Sequence, residues 1–145
     1  MEASHYRKLE AMYLGAAINT QHYPSTTCTI EKGKASIGID INNSYFHALG
    51  AMHGSVYFKL LDDAAFFAAS SVVTDRFVLT TSFNTNIIRP INKGRIKAVG
   101  TLRFESKQLF CAEATLYNEQ GKEIAFGSGN FVKSRIELSP EIGYV

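Results

Sequence analysis

The chain has 145 residues, of which 46% are hydrophobic and 19% are charged, and its net charge at neutral pH is +2. A chain of this length and composition can bury a sizeable core and is expected to form a single globular domain. The small net charge does not indicate a nucleic-acid partner, and no apolar run approaches the roughly 20 residues that a membrane helix needs. Only two cysteines are present, Cys28 and Cys111, and they lie far apart. Their number suggests neither a disulfide framework nor a zinc motif, so we expect reduced thiols and a cytoplasmic location.

The first predicted element is an amphipathic helix over residues 5–18, with Ser4 as its N-cap. Alternating apolar side chains then predict two short strands, at 26–31 and 35–41. A mostly apolar helix follows over residues 54–70. Four long strands with short turns complete the pattern, at 77–88, 95–105, 109–117 and 123–133.

A helix that is apolar on most sides must be buried, and a curved antiparallel sheet wrapped around it is the most economical cover. The sequence therefore predicts an α+β fold in which five to six strands surround one long central helix. We expect one domain over residues 1–145, made of an N-terminal helical region at 1–22, a core at 26–133 and a tail at 134–145.

Two adjacent acids interrupt the central helix. Asp63 lies four residues after Lys59, so an intrahelical ion pair on the surface is the simplest interpretation, worth a few tenths of a kcal/mol. Asp62 instead has Phe58, Ala65 and Phe66 as its neighbours one turn away and Ala69 two turns away. Desolvation by such neighbours raises the pKa of a carboxyl group towards the range useful for acid–base chemistry. The alternatives are an acid at the solvent boundary or one that binds a neighbouring chain.

The start of the central helix, His53-Gly54-Ser55, has the features of an oxyanion site. Ser55 can cap the helix, and the free N–H groups of the first turn, at the positive end of the helix dipole, can bind a developing oxyanion. Gly54 lies eight residues before Asp62, or roughly 12 Å along the helix. One small reacting group cannot contact both within one subunit. The site is therefore shared between two chains, or the pairing is accidental.

Basic residues are concentrated between positions 89 and 107, where Glu105 is the single acid. A solvated strand face explains most clusters of this kind, and a binding site for phosphate groups is the functional alternative. The cluster consists of Arg89, Lys93, Arg95, Lys97, Arg103 and Lys107.

The segment HALGAMHGSVYFKLLDDA, residues 47–64, resembles the signature of the hotdog-fold acyl-CoA thioesterases of the phenylacetate-pathway (PaaI-like) group. That signature reads Asn-x-x-Gly-x-x-His-Gly-Gly, with an acid nine residues after the histidine. Gly50, His53 and Gly54 match it, and Asp62 occupies the position of the acid. Downstream, TTSFNTNIIRPINKGRIKAVGTL and GKEIAFGSGNF are similar to later strands of the family, so the resemblance covers roughly residues 26–133.

The resemblance implies a hotdog fold and hydrolysis of an acyl-CoA, or of an acyl-carrier thioester, with no cofactor beyond the coenzyme A of the substrate. It implies that the Gly54 amide polarises the thioester carbonyl, that Asp62 attacks that carbonyl or activates water, and that Thr80 orients the water. In the family the acid and the helix-start glycine of one site come from opposite subunits, so we expect a homodimer that assembles into a dimer of dimers. The residues expected to contact the substrate are His53, Ser55, Phe58, Phe66, Arg89, Arg95, Lys97 and Arg103.

Two positions depart from the family pattern. His47 replaces the usual Asn or Gln, and an imidazole there can orient water or transfer protons; Ser55 replaces the second glycine. His47 together with Asp62 leaves open a hotdog dehydratase or hydratase, and a protein that binds acyl-CoA without catalysis is a further alternative. The spacing of His47, His53 and Asp62 is not that of a local metal motif, so no metal is expected.

Overall fold

The computed structural model describes residues 2–145. The elements are α1 (Glu2–Gly15), α2 (Ala17–His22), β1 (Thr27–Glu31), β2 (Lys34–Asp40), α3 (Gly54–Ser70), β3 (Arg76–Ile87), β4 (Arg95–Glu105), β5 (Leu109–Tyr117) and β6 (Glu123–Glu137). Single turns of 3-10 helix lie at Asn43–Tyr45 and Pro140–Ile142. Across residues 2–145, none of the helices combines the length and the apolar character needed to cross a membrane.

The six strands form one sheet in the order β1-β2-β4-β5-β6-β3, and all neighbouring strands are antiparallel. The sheet packs around α3, which contacts every strand. This arrangement confirms the predicted hotdog fold, with one central helix and the larger of the two expected strand numbers. In the sheet order β1 and β3 are the two edge strands.

The core lies between α3 and the concave face of the sheet. Leu60, Leu61 and Ala64 of the helix are completely buried. Gly100 in β4 makes the close approach possible, because a Cβ atom there would overlap the backbone of Ala64 and Ala65. The glycine therefore fixes how deeply the helix sits, and with it the height of the acidic residues above the sheet.

The N-terminal helix differs from its prediction. The structure has two helices, α1 and α2, instead of one helix over residues 5–18, and α1 begins at Glu2, so Ser4 lies inside its first turn and is not the N-cap. The break falls at Ala16, which has an extended backbone with φ −65° and ψ 140°. Asn19 stabilises the break, because its side-chain amide donates at 2.7 Å to the Tyr13 carbonyl, which also accepts from the Ala16 N–H at 3.2 Å.

The last strand also runs further than predicted. β6 continues from the expected end at 133 to Glu137, and its final residue pairs with Arg76 at the start of β3. The expected tail at 134–145 therefore begins as part of the sheet. Its remaining residues return to α1, where Tyr144 hydrogen-bonds the Nδ1 atom of the buried His5 at 2.7 Å.

Candidate active site

The first part of the candidate site is the start of α3, where His53 is the N-cap. The Ser55 N–H donates to the Nδ1 atom of His53 at 3.0 Å, and the Ser55 hydroxyl lies 2.8 Å from the same atom. The expectation that Ser55 caps the helix is therefore wrong. The imidazole reaches the Ser55 amide because His53 has an extended backbone, with φ −65° and ψ 145°, that turns its side chain back over the first turn.

The Gly54 amide is left available at this helix end. The Val56 N–H donates to the His53 carbonyl and the Ser55 N–H to the His53 ring, while no hydrogen bond within residues 2–145 uses the N–H of Gly54. Gly54 borders a groove of about 350 Å³ that His47, Ile87 and Arg89 also line. A free N–H at the positive end of a helix suits a carbonyl oxygen on which negative charge develops.

The second part of the candidate site is Asp62, on the same helix. The Thr80 hydroxyl on β3 donates to its Oδ1 atom at 3.0 Å. Burial and the neighbouring Asp63 carboxylate raise the pKa of Asp62 from 3.8 to about 6, against the opposite effects of the Thr80 hydrogen bond and of Lys59. Above that pH the group is a carboxylate held in one orientation, as a general base requires. The apolar neighbours in the sequence predict this shift.

Asp63 has a different environment from its neighbour. Its Oδ2 atom lies 3.0 Å from the Lys59 ammonium and accepts a hydrogen bond from the Tyr13 hydroxyl at 2.7 Å. The Lys59 ammonium also donates to Asn19 at 2.8 Å and lies 4.6 Å from the ring centre of Tyr23. The predicted intrahelical pair is thus present, but it is mostly covered by α1 and α2, with 10% of the Lys59 and 21% of the Asp63 side chain exposed. Its loss would leave an unpaired buried charge, which costs far more than an exposed pair contributes.

Within one chain the structure does not bring Gly54 and Asp62 together. Asp62 and Thr80 border a cavity of about 850 Å³ between α3, β3 and the N-terminal helices. The groove beside Gly54 shares no lining residue with that cavity. The two halves of the expected site therefore open to different places on a single subunit, in agreement with their helical separation of roughly 12 Å.

Strand β3 connects the two halves. A β-bulge lies between Thr80 and Ser82, where Thr80 pairs with Phe131 and Ser82 pairs with the next residue of β6, Asn130. The extra residue reverses which side chains face the helix. Thr80 faces α3 before the bulge, and Phe83 faces it after the bulge, with its ring 5.9 Å from that of Phe58. Ile87 follows the new alternation and contacts the position of Gly54, 3.4 Å from where a Cβ atom there would lie.

His47 lies in an exposed turn before α3. The Leu49 N–H donates to its Nδ1 atom at 3.1 Å, so the ring is held by its own turn, and His47 borders the Gly54 groove. His47 does not line the cavity of Asp62. Within residues 2–145 no group of three potential ligands could hold a metal ion.

The two phenylalanines expected at the substrate have different positions. Phe66 lines the cavity next to Asp62, whereas Phe58 is half-exposed and packs on Phe83, outside both the cavity and the groove.

The four basic residues expected to bind phosphate do not converge. Arg89 borders the Gly54 groove. Arg95 binds Asp40 at 3.0 Å and the Thr27 hydroxyl at 2.6 Å, so its guanidinium is already engaged within the fold. Lys97 lies beside Arg95 in a separate groove, and Arg103, near the far end of β4, pairs with Glu113 at 3.1 Å. Only Arg89 therefore shares a surface with a predicted catalytic group.

Sequence patterns missed the residues that α1, α2 and the chain end contribute to the cavity of Asp62. Tyr13, Gly15 and Ile18 line it on one side, and Ile136 and Ile142 line it on another. The helical period of α1 predicts that Tyr13 is buried, but no local pattern shows that it covers the acidic pair. A signal was present in Lys59, because a lysine in the middle of a buried helix requires polar partners.

Comparison with known proteins agrees with this architecture. A model of the thioesterase superfamily matches residues 49–125, which include the start of α3, both acids and strands β3 to β5. No curated protein sequence matches the chain significantly.

Solved structures share the fold at low sequence identity. The Escherichia coli PaaI protein from the phenylacetic acid degradation operon has a TM-score of 0.84 and 18% identity, over 95% of this chain and 99% of that one. A mutant of the phenylacetic acid degradation protein PaaI from Thermus thermophilus has a TM-score of 0.69 and 19% identity, over 76% of this chain and 94% of that one. A thioesterase from Haemophilus influenzae has a TM-score of 0.76 and 16% identity, over 88% of each chain.

The matched family segment spans more than half of the chain and contains every residue of the helix that carries the candidate site. The fold, the helix-start glycine and the buried acid agree with that match. The chain has a hotdog fold and belongs to the thioesterase superfamily.

Proposed function

We propose that the protein hydrolyses acyl-CoA or acyl-carrier thioesters at two equivalent sites of a homodimer. Each site combines Asp62 and Thr80 of one subunit with the Gly54 amide and the groove of His47 and Arg89 from its partner. One observation carries the proposal. On an edge strand whose outer side is open, the bulge at Thr81 turns both Thr80 and Ile87 towards α3, one beside Asp62 and the other beside Gly54.

Antiparallel pairing of two β3 strands brings these positions together. Residues directly opposite in such a pair point to the same face of the sheet. A two-fold axis at Asn84 pairs that residue with its own copy and Ser82 with Asn86 of the partner subunit. With the bulge counted as one extra residue, Thr80 then lies opposite Ile87 of the partner subunit. The acid of one subunit thus lies near the free amide of the other, which resolves their separation within one chain.

The same pairing covers exposed apolar side chains. One step beyond Thr80, Leu79 comes to lie opposite Ile88 of the partner subunit, and these two residues are 43% and 52% exposed in the single chain. Two such contacts form, one on each side of the axis, because the interface is isologous. Exposed apolar surface on an open strand edge favours pairing with another strand.

The chemistry follows from the two groups. The Gly54 N–H donates to the thioester carbonyl oxygen, and the Asp62 carboxylate takes a proton from water as the water oxygen bonds to the carbonyl carbon. The tetrahedral oxyanion re-forms the carbonyl and breaks the carbon–sulfur bond, and the proton returns from Asp62 to the leaving thiolate. The products are a free acid and a thiol. Direct attack by Asp62 through an anhydride gives the same products and uses the same groups.

The decisive experiment mixes two inactive variants. Asp62→Asn removes the base, and Gly54→Pro removes the amide hydrogen. Proline is tolerated in the first position of a helix, and His53 already has the extended backbone that a residue before proline adopts. Each variant alone should lose about 100-fold or more in kcat. In an equal mixture with random exchange of subunits, half of the dimers are mixed and each has one intact site, so about a quarter of wild-type activity should return.

Gly54→Ala is the matched control for the amide, since it keeps the N–H and adds a methyl group that meets only the end of the Ile87 side chain at 3.4 Å. It should stay within about tenfold of the wild-type kcat, well above the proline variant. Mixed dimers are confirmed by co-purification through two different tags. If confirmed mixed dimers show no recovered thiol release, the site lies within one chain and the role of Asp62 is withdrawn.

A hydratase or dehydratase is a second candidate, supported by the position of His47 in the groove beside Gly54. The pairing that brings Asp62 to Gly54 of the partner subunit also brings it towards the His47 turn. His47→Asn distinguishes the two reactions, because an amide occupies that position in the family signature. Hydrolysis should persist in this variant and release a free thiol, whereas a dehydratase would lose its enoyl thioester product. Assembly of two dimers and a cytoplasmic location stay predictions.

A further inference from the structure

The cavity beside Asp62 extends well beyond the acid itself. Its volume is about 850 Å³, within the range of small-ligand pockets, and exposed residues such as Ile18, Ile136 and Ile142 form its open rim. Asp62 and Thr80 lie on its wall, and helices α1 and α2 and the segment from Ile136 to Gly143 form other parts of that wall. We call this cavity the acyl chamber. Its walls are mostly apolar, with Met12, Phe66, Phe67, Phe77, Ile136 and Ile142 among them.

The charges on the chamber wall exclude an anionic ligand. Lys59, its one cationic wall residue, is saturated by Asp63 at 3.0 Å, by Asn19 at 2.8 Å and by the Tyr13 hydroxyl at 3.1 Å. Besides Lys59 and its partner Asp63, the charged wall residues are Asp62 and the exposed Glu141, both acids. A carboxylate entering the chamber would lose water and meet like charge with no free cation to receive it. An uncharged apolar group has no such penalty and gains from burial.

The end of α1 leaves room on the chamber wall. Gly15 lines the chamber, and a Cβ atom added there would meet no other atom within 4 Å. The wall does not depend on Gly15 alone for its position, because Asn19 ties α2 both to the Tyr13 carbonyl and to the Lys59 ammonium. Because Gly15 is exposed, it lies at the rim of the chamber, and a larger side chain can be added at this rim without displacing the helix.

We propose that the acyl chamber receives an uncharged aliphatic acyl chain, with its thioester end at Asp62, and that Gly15 sets how long that chain can be. This inference rests on the proposed thioester hydrolysis and adds the substrate class. A single aromatic ring at Asp62 would leave much of the chamber filled with water. A longer chain reaches past Phe66 to the aliphatic wall at Met12 and Ile18 and buries more apolar surface.

The test compares kcat/KM for butanoyl-, decanoyl-, phenylacetyl- and glutaryl-CoA by thiol release. The wild-type protein should prefer decanoyl-CoA to phenylacetyl-CoA and should use glutaryl-CoA worst. Gly15→Leu should lower the ratio of decanoyl to butanoyl kcat/KM about tenfold, the order that mismatched methylene groups produce in an apolar pocket. Ala17→Leu is the matched control, since the same side chain is added two residues away and outside the chamber wall. Its ratio should equal that of the wild-type protein.

A second variant removes side-chain volume from the chamber wall, whereas Gly15→Leu adds it. Ile18→Ala removes a half-exposed wall side chain at little cost in stability and should raise the ratio of hexadecanoyl to decanoyl kcat/KM. An unchanged chain-length profile in both wall variants, or a wild-type preference for phenylacetyl- or glutaryl-CoA, would overturn the inference. In that case hydrolysis itself still stands.

Failure of the proposed function gives a different result. S-decyl-CoA, a thioether that cannot be hydrolysed, measures binding by calorimetry without any reaction. If no thioester is hydrolysed but S-decyl-CoA binds and Gly15→Leu weakens it about tenfold, the chamber assignment holds and the protein binds acyl-CoA without catalysis. If S-decyl-CoA does not bind the wild-type protein, the chamber assignment is wrong.

Discussion

The two edge strands of the sheet differ in what covers them. At β1, helix α1 covers the edge, and its side chains bind the outward backbone groups of Ile30: the N–H donates to Glu10 at 2.7 Å, and Arg7 donates to the carbonyl at 2.9 Å. At β3, the only strand partner within residues 2–145 is β6, and the other side is open along all twelve residues of the strand. Exposed Leu79 and Ile87 lie on that open strand, with Ile88 directly after it.

A strand edge left unpaired attracts other strands, and proteins protect edges that have no partner. The β1 edge is protected by a salt-bridged pair that mimics a neighbouring strand. The β3 edge is long and partly apolar, and it carries the bulge that turns Thr80 and Ile87 to one face. We infer that the β1 edge serves stability alone and that the β3 edge serves assembly and chemistry. Variants at the two edges should therefore affect different measurements.

The largest effect is expected from a charge on the open edge. Ile88→Arg places a guanidinium opposite Leu79 of the partner subunit at both ends of the interface. The dimer contains two such contacts. If each one loses about 1.4 kcal/mol of binding free energy, the dimer Kd rises about 100-fold. Phe104→Arg is the matched control, because Phe104 and Ile88 are both 52% exposed and Phe104 lies on β4. Sedimentation equilibrium should show dissociation for the first variant only. Equal association of both variants would mean that β3 is not the interface.

The closed edge should respond in stability and not in assembly. Glu10→Ala leaves the Ile30 N–H without its acceptor under α1, where the Glu10 side chain is 14% exposed. We expect a loss of about 1–3 kcal/mol in the free energy of unfolding, measured by urea denaturation. Glu10→Gln keeps an acceptor and should lose less. A change in dimer Kd that exceeds the change in stability would contradict the division between the two edges.

The next prediction concerns the pH dependence of kcat/KM, which reports on Asp62 and on its contact with Thr80 of the open edge strand. Asp62 acts as a base only when ionised, so kcat/KM should rise with pH through an apparent pKa near 6. Thr80→Val removes the hydrogen bond that lowers the pKa of Asp62, so the acid limb of the profile should move to higher pH.

Thr85→Val is the control for that shift. It makes the same change on the same strand, but the buried Thr85 hydroxyl has no hydrogen-bond partner within residues 2–145. Its acid limb should coincide with that of the wild-type protein. A wild-type profile that is flat between pH 5 and 7, or a downward shift in Thr80→Val, would contradict the role of Asp62 as base.

Local periodicity predicted most of the fold. The apolar period of α3 predicts its boundaries, Gly54–Ser70. It also predicts that Asp62 lies among apolar side chains, because both features depend on residues within two turns of each other. The bulge at Thr81 was not predictable, since Thr-Thr-Ser offers no apolar side chain whose alternation could be seen to change phase. The cover of Lys59 by Tyr13 and Asn19 was missed for a different reason. It depends on how α1 and α2 pack, and the break at Ala16 separates them without a proline or a charge to mark it.

The smallest effect is the most specific test of the open edge, because it depends on the position of the symmetry axis. If the axis passes at Asn84, each residue 84 faces its own copy on the outer surface of the sheet, where Asn84 is exposed. Asn84→Lys and Asn84→Asp then each place like charges opposite each other and should weaken their own dimers by about 0.2–1 kcal/mol. When the two variants are mixed, a lysine lies opposite an aspartate only in dimers that contain one subunit of each variant.

Random exchange gives half mixed dimers, so native mass spectrometry of the two exchanged variants should show clearly more than half. The excess should fall as salt is added, since exposed charges are screened. Lys97→Asp with Lys97→Arg is a control pair on β4, away from the axis, and should give the random distribution. A random distribution from the Asn84 pair as well would place the axis elsewhere on β3. The alignment of Thr80 with Ile87 of the partner subunit would then be lost, and with it the geometric basis for a site shared between subunits.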